Sequence, residues 1–258
     1  MAEAGDAVCP VRASVLNDVP HGFLTRAGGV SAGPVAGLQF GTGAGDEPAA
    51  VEENRRRAIA AILPGADLAM PYQVHSADAV VVSAATKGDA RPRADALATA
   101  TPGLLVGVVT ADCGPVLMAD TGAGVVAAAH AGWRGAVGGI LDATLEAMES
   151  LGARRGHIVA AIGPAIAQAN YEVGPEMRDE FGAGDDRFFV PGNGDRLHFD
   201  LEGYAAARLE RAGIGAIEPL GLDTYSDESR FYSYRRASHR GEASYGRQAA
   251  LIGLRATA

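Results

Sequence analysis

The sequence predicts a mixed α/β or α+β fold, and three observations carry that expectation. Short apolar, strand-like runs alternate with a few amphipathic, helix-like segments. The runs at 104–109 and 125–129 are apolar without alternation, as expected of strands covered on both faces. With 258 residues, 48% of them hydrophobic, and no repeat, low-complexity stretch or glycine-rich linker, the chain favours a single domain over 1–258.

Strands are predicted over 21–25, 69–75, 79–83, 103–110, 115–119, 124–130, 157–163 and 246–254. Three helices are predicted between them. The segment 51–63 is stopped by Pro64 and Gly65. In 137–152, Ile140, Leu141, Thr144, Leu145 and Met148 fall on one face, with Gly152 placed as a C-terminal cap. In 201–213, Asp200 is placed as the N-cap.

Charge narrows the class of partner. The net charge is −9, and Lys87 is the sole lysine among basic residues that are otherwise arginine. An acidic chain without a basic stripe is not expected to bind nucleic acid or an anionic membrane surface, although single arginines can still bind small anions. No N-terminal basic region leads into an apolar run, and no stretch approaches the ~18–20 apolar residues of a membrane span. Cys9 and Cys113 are too few for a disulfide framework, so free or metal-bound thiols in the cytoplasm are expected.

Three short segments place a reactive side chain at or just beyond the end of an apolar run: 72-YQVHSAD-78, 111-ADCGPV-116 and 130-HAGWRG-135. If these ends meet at one cleft, His75, Cys113 and His130 converge. Two imidazoles and one thiolate suit zinc, and three protein ligands leave a fourth tetrahedral position open, as in catalytic sites. The same residues admit a metal-free reading, with Cys113 as nucleophile and His130 as its base, in which His75 has no task. They also admit a reading as separate buried residues, because free cysteine is among the most buried residue types.

The words around these residues carry a resemblance. The segments 22-GFLTRAGGVSAGP-34, 73-QVHSADAVVV-82, 94-ADALAT-99, 109-VTADCGPVLMAD-120, 126-VAAAHAGWRG-135, 162-IGPAIAQANYEVG-174, 231-FYSYRR-236 and 246-GRQAALI-252 resemble, in order and over almost the whole chain, the laccase-domain family. That family was formerly known as multicopper polyphenol oxidases, also goes by the name of peptidoglycan editing factors, and is linked to purine nucleoside phosphorylase activity. The resemblance implies a layered α-β-β-α sandwich with mixed sheets, similar to the catalytic domain of a deamidating bacterial toxin. It also implies a zinc site at His75, Cys113 and His130. Two positions depart from the family pattern: Gln39 stands where asparagine is frequent, and Asp223 where cysteine is frequent.

The older family label does not survive counting. A multicopper oxidase needs a blue copper and a trinuclear cluster rich in imidazole. Six histidines, at 21, 75, 130, 157, 198 and 239, without an H-x-H pair, cannot supply both.

The resemblance instead implies phosphorolysis of adenosine, inosine, guanosine or methylthioadenosine, and hydrolytic deamination of adenosine. Deamination calls for a carboxylate that moves protons beside the zinc, and Asp112 is the candidate. Phosphorolysis calls for a phosphate-binding group, for which the planar, permanently charged guanidinium is suited. Arg26, Arg55, Arg134 and Arg235 are the candidates, with Gln73 of the QVH word a further substrate contact. A Cys–His amidase acting on peptidoglycan and a non-catalytic binding protein are the alternatives.

Overall fold

The computed structural model describes residues 7–256, so the reading of the extreme N-terminus lies outside the described residues. Along the chain run β1 (His21–Phe23), α1 (Pro48–Ile62), β2 (Asp67–Ala69), β3 (Ala79–Val81), β4 (Ala96–Thr99), β5 (Leu104–Thr110), β6 (Gly114–Asp120) and β7 (Val125–Ala131). Then follow α2 (Trp133–Gly138), α3 (Ile140–Ser150), β8 (Val159–Ile162), β9 (Glu172–Val173), α4 (Pro175–Arg178), β10 (Phe189–Pro191) and β11 (Leu197–Phe199). The chain closes with α5 (Leu201–Arg211), β12 (Ala216–Pro219), α6 (Tyr234–His239) and β13 (Gln248–Gly253).

Two mixed sheets form the body. One has the order β12-β8-β6-β7-β4-β3, with parallel pairs at its two edges and antiparallel pairs inside. The other has the order β1-β13-β5-β2, in which only β2 and β5 are parallel. A small antiparallel sheet, β10-β11-β9, completes the set.

Side-chain alternation explains the layering. Along β6, Val116 and Met118 pack toward α3 and α5, while Leu117 and Ala119 pack against Val106, Val108, Ala250 and Ile252 of the second sheet. That sheet turns Leu105, Ala249 and Leu251 to its outer face, against Ala58 and Ile62 of α1. Helices on both outer faces and two sheets back to back make the α-β-β-α sandwich. Strands buried on both faces need no alternation of polarity, which is why β5, β6 and β7 read as continuous apolar runs.

The helices follow their expected patterns with two shifts. The five residues predicted to face the core from 137–152 are all buried, and Gly152 adopts φ 98° at the C-terminus. Gly139, also at φ 98°, splits that segment and leaves α2 as a separate short helix. Asp200 caps α5 by accepting from Gly203 N at 2.9 Å. α1 begins at Pro48, sooner than expected, because proline is well suited to a first helical position.

The predicted strand 69–75 ends at Ala69. Beyond it the chain leaves the sheet, and the Gln73 side chain replaces the lost pairing: Nε2 donates to Val109 O at 2.8 Å and Oε1 accepts from Val109 N at 2.7 Å. The three-stranded sheet, β4, β12, α4 and α6 were not predicted. No helix among the described residues is long and apolar enough to cross a membrane.

Candidate metal centre

Three loops and strand ends deliver the candidate ligands. His75 lies in the loop beyond β2, Cys113 in the turn between β5 and β6, and His130 near the end of β7. Their donor atoms all lie within 4.8 Å of one another, the His75 and His130 rings being edge-on with centroids 4.8 Å apart. His130 is buried, Cys113 half-buried and His75 exposed, so the group opens to solvent on one side. Two borderline nitrogen donors and one thiolate, open on one face, fit a zinc ion with a free coordination position.

The backbone is specialised at this group. Among the described residues, only His75 (φ 60°) and Asp112 (φ 85°) are non-glycine residues in the left-handed region. Such conformations cost roughly 1–3 kcal/mol and persist where surroundings enforce them. Here they sit at one member of the group, His75, and immediately before another, Cys113.

Asp95, buried immediately before β4, enforces the first. Its Oδ2 accepts from Val74 N at 3.1 Å and Ser76 N at 2.6 Å, bracketing His75, and from Ser76 Oγ at 3.0 Å. Its Oδ1 pairs with His130 Nδ1 at 2.8 Å, and its carbonyl accepts from His130 N at 2.7 Å. A carboxylate can only accept, so Nδ1 carries the proton and Nε2 is left for a metal.

Asp112 is held from the opposite direction. Its carboxylate accepts from Thr224 Oγ1 at 2.7 Å and Arg235 N at 2.6 Å, and its carbonyl from Ile166 N at 2.9 Å. The turn that presents Cys113 is thereby anchored. Burial raises the Asp112 carboxyl above the usual range against these donors.

Close packing sets the last constraint. A Cβ added at Gly132 would stand 3.0 Å from Cys113 Sγ and 3.2 Å from His75 Cδ2. Gly132 has φ −71°, so its backbone does not require glycine; an added methyl would instead crowd Cys113 and His75.

The charges in the group are coupled. Burial disfavours the Cys113 thiolate, but His130 and then His75 outweigh it and lower the thiol below its ordinary value. Burial likewise disfavours the His130 cation, yet Cys113 and Asp95 raise it. Asp95 is buried too, and His130 with the Ser76 and Val74 N–H groups holds it low, at about 2.

The triad lies in a cleft of about 470 Å³ that is also lined by Tyr72, Gln73, Thr110, Arg55, Arg91 and Arg247. Three arginines and no carboxylate line it. A neighbouring cleft of about 570 Å³ shares Arg55 and Arg91 but carries Asp46, Glu52 and Asp67.

Of the four arginines predicted for phosphate, the structure brings only Arg55 into the triad's cleft. Arg26 stacks on Tyr232 and donates to Ala36 O and Glu228 O. Arg134 stacks on Trp133, and Arg235 donates to Glu172 O. Gln73 lines the cleft, while Asp112 does not. Sequence reasoning missed Asp95, Arg91 and Arg247. Asp95 and Arg247 each stood inside a family-like word, 94-ADALAT-99 and 246-GRQAALI-252, but no spacing linked them to His130 or Arg55.

Both departures from the family pattern have structural partners. Gln39 is fully buried and donates to Gly41 O and Asp46. Asp223 accepts from Ala167 N, Tyr225 N and Asn170 Nδ2.

Comparison with known proteins bears on this site. A family model described as "Multi-copper polyphenol oxidoreductase laccase" matches residues 20–255. The chain is 46% identical over 237 residues to a "Purine nucleoside phosphorylase" of Deinococcus radiodurans, covering 92% of this chain and 89% of that protein. It is 39% identical over 236 residues to "Purine nucleoside phosphorylase YfiH" of Escherichia coli, covering 89% and 91%. Among solved structures, the hypothetical protein YfiH of Bacillus licheniformis superposes with a TM-score of 0.87 at 29% identity, covering 98% of each chain. A Neisseria meningitidis protein superposes with a TM-score of 0.84 at 34% identity, covering 96% of this chain and 99% of that one.

Proposed function

The chain belongs to the family described as multi-copper polyphenol oxidoreductase laccase, and from that premise we propose that it is a zinc-dependent purine nucleoside phosphorylase acting on adenosine, inosine, guanosine and methylthioadenosine. The observation that carries the reading is one cleft in which the His75–Cys113–His130 group meets three arginines and no carboxylate. Relatives named purine nucleoside phosphorylase at up to 46% identity support it. Multicopper oxidase chemistry needs several imidazole-rich copper sites, whereas His75, Cys113 and His130 form one candidate group of three or more ligands among the described residues.

When bound, zinc supplies Lewis acidity at the cleft. The residues of the chain do the rest: Asp95 fixes both imidazoles, Gly132 leaves room beside them, and the arginines hold a phosphate dianion. In phosphorolysis a phosphate oxygen bonds to C1′ as the C1′–N9 bond breaks. The bond pair leaves with the purine, which takes up the proton of the hydrogen phosphate.

We extend the proposal to adenosine deamination, with Asp112 as the proton-moving carboxylate. Its support is that Asp112 adjoins Cys113 and has a raised pKa. Because its oxygens already accept from Thr224 and Arg235, its proton would reach the cleft only through a relay.

A second reading has its own observation. Asp95, His130 and Cys113 form an acid–imidazole–thiol series of the kind that activates a nucleophile. It leaves the convergence of His75 unexplained. We also infer a reducing compartment such as the cytoplasm, since Cys9 and Cys113 are both free and either chemistry needs Cys113 reduced.

Elemental analysis of purified protein tests the first reading. One zinc per chain is expected in the wild type and a marked loss in Cys113→Ala. Full occupancy in that variant would remove Cys113 from the ligand set.

A further inference from the structure

Among the described residues, three buried side-chain nitrogen or oxygen atoms have no hydrogen-bond partner: Arg55 Nε, Arg247 Nη1 and Thr110 Oγ1. All three residues line the cleft that holds His75, Cys113 and His130. Buried polar groups are nearly always paired, so three orphans converging on one cleft need a common explanation.

The surroundings say what kind of group is missing. Arg55 Nη2 donates to Phe40 O at 3.2 Å, and the Arg247 guanidinium packs over Gly41, where an added Cβ would meet Nη1 at 2.9 Å. Arg247 Nη2 donates to Tyr245 Oη at 2.9 Å, so both guanidiniums are held through Nη2, and Nε of Arg55 and Nη1 of Arg247 are left without an acceptor. Neither arginine forms an ion pair with a carboxylate among the described residues. Thr110, 2% exposed, ends β5 three positions before Cys113 and can donate a hydroxyl proton. Two cationic N–H donors and one hydroxyl donor, in a cleft without a carboxylate, match a tetrahedral oxyanion.

We propose that Arg55, Arg247 and Thr110 form the seat of inorganic phosphate in this cleft, with Arg91 adding positive charge at its edge. The inference rests on the phosphorylase reading and deepens it by assigning the attacking phosphate to residues outside the metal triad. The seat holds phosphate through Arg55 Nε, Arg247 Nη1 and the Thr110 hydroxyl. Of these three, only Arg55 stood among the arginines expected from the sequence.

The test reads phosphate binding apart from turnover. Inorganic phosphate is titrated into metal-loaded wild type, Arg55→Met, Arg247→Met and Thr110→Val by calorimetry, and the KM values for phosphate and for inosine are measured on the same preparations. The expected result is phosphate binding weakened about tenfold or more in each variant, with KM for phosphate rising in parallel and KM for inosine changed less than about threefold. Thr110→Val keeps the test falsifiable if an arginine variant fails to fold. It removes an orphan hydroxyl at nearly constant volume, so without phosphate it should unfold no more easily than wild type. Unchanged phosphate affinity and KM in the variants would overturn the seat while leaving phosphorolysis intact. Absence of phosphate binding and of phosphate-dependent turnover in the wild type would overturn both.

Discussion

His130 Nδ1 donates to Asp95 Oδ1 across 2.8 Å, while the other oxygen of the same carboxylate accepts the backbone N–H groups on either side of His75. One buried acid therefore orients one imidazole directly and the other through its backbone. Asp95 thereby holds two of the three candidate ligands without belonging to the group itself.

Asp95→Asn is expected to keep the fold but lower zinc affinity about 10- to 100-fold, the usual cost of losing a carboxylate behind a histidine ligand. Competition with a chromogenic chelator measures it. An affinity equal to wild type would mean that the backbone alone positions both imidazoles.

Asp95 also makes stability pH-dependent. Its folded-state pKa is depressed, to about 2, below the unfolded carboxylate value of about 3.9. The stabilisation is therefore present above about pH 4 and is lost as pH falls toward 2. Acid unfolding of metal-free protein should be less steep in that window for Asp95→Asn than for wild type. Parallel curves would assign the acid sensitivity to other groups.

Gly132→Ala separates metal binding from folding. The backbone accepts alanine at φ −71°, but its methyl would press on Cys113 Sγ and His75 Cδ2. We expect the metal-free thermal midpoint to stay within the shift given by about 1 kcal/mol while zinc content falls several-fold. At Gly29 an added Cβ would stand 2.1 Å from Gly37 backbone atoms, so Gly29→Ala should instead lower the folded yield itself. Full zinc content in Gly132→Ala would refute the steric explanation.

Alkylation distinguishes the zinc and thiol readings at Cys113. Metal-free Cys113, lowered to about 6, should keep its iodoacetamide reactivity from about pH 8 down to about pH 7, whereas a thiol of ordinary pKa, about 8.5, slows nearly tenfold. Bound zinc should suppress the reaction, with exposed Cys9 as the internal label. Rapid alkylation of Cys113 with zinc still bound and activity lost would favour the hydrolase reading.

Much of this was legible in the sequence where burial writes a pattern. The doubly covered strands β5 to β7 show as unbroken apolar runs, and α3 shows as a five-residue stripe, because the core dictates both. The His75–Cys113–His130 group shows because strand ends carry reactive residues in recognisable words. The arginine-lined side of the cleft was less legible. Arg55 and Arg247 lie 192 positions apart and meet at Phe40–Gly41 only through the packing of α1 and the pairing of Phe40 N with Arg247 O. Three of the four arginines chosen from the sequence are instead engaged by Tyr232, Trp133 and Glu172. Gln73, expected as a substrate contact, spends both ends of its amide on Val109, a pairing invisible before β5 and the 70–75 segment are docked.

The phosphorylase reading meets its sharpest test in chromatographic resolution of the products formed when metal-replete protein meets adenosine, with and without phosphate. Adenine and ribose 1-phosphate are expected in equal amounts, dependent on phosphate and lost in Cys113→Ala. Inosine formed without phosphate would report the second activity, and Asp112→Asn should lower it about 100-fold or more. Adenosine left intact by protein carrying one zinc per chain would contradict the phosphorylase reading.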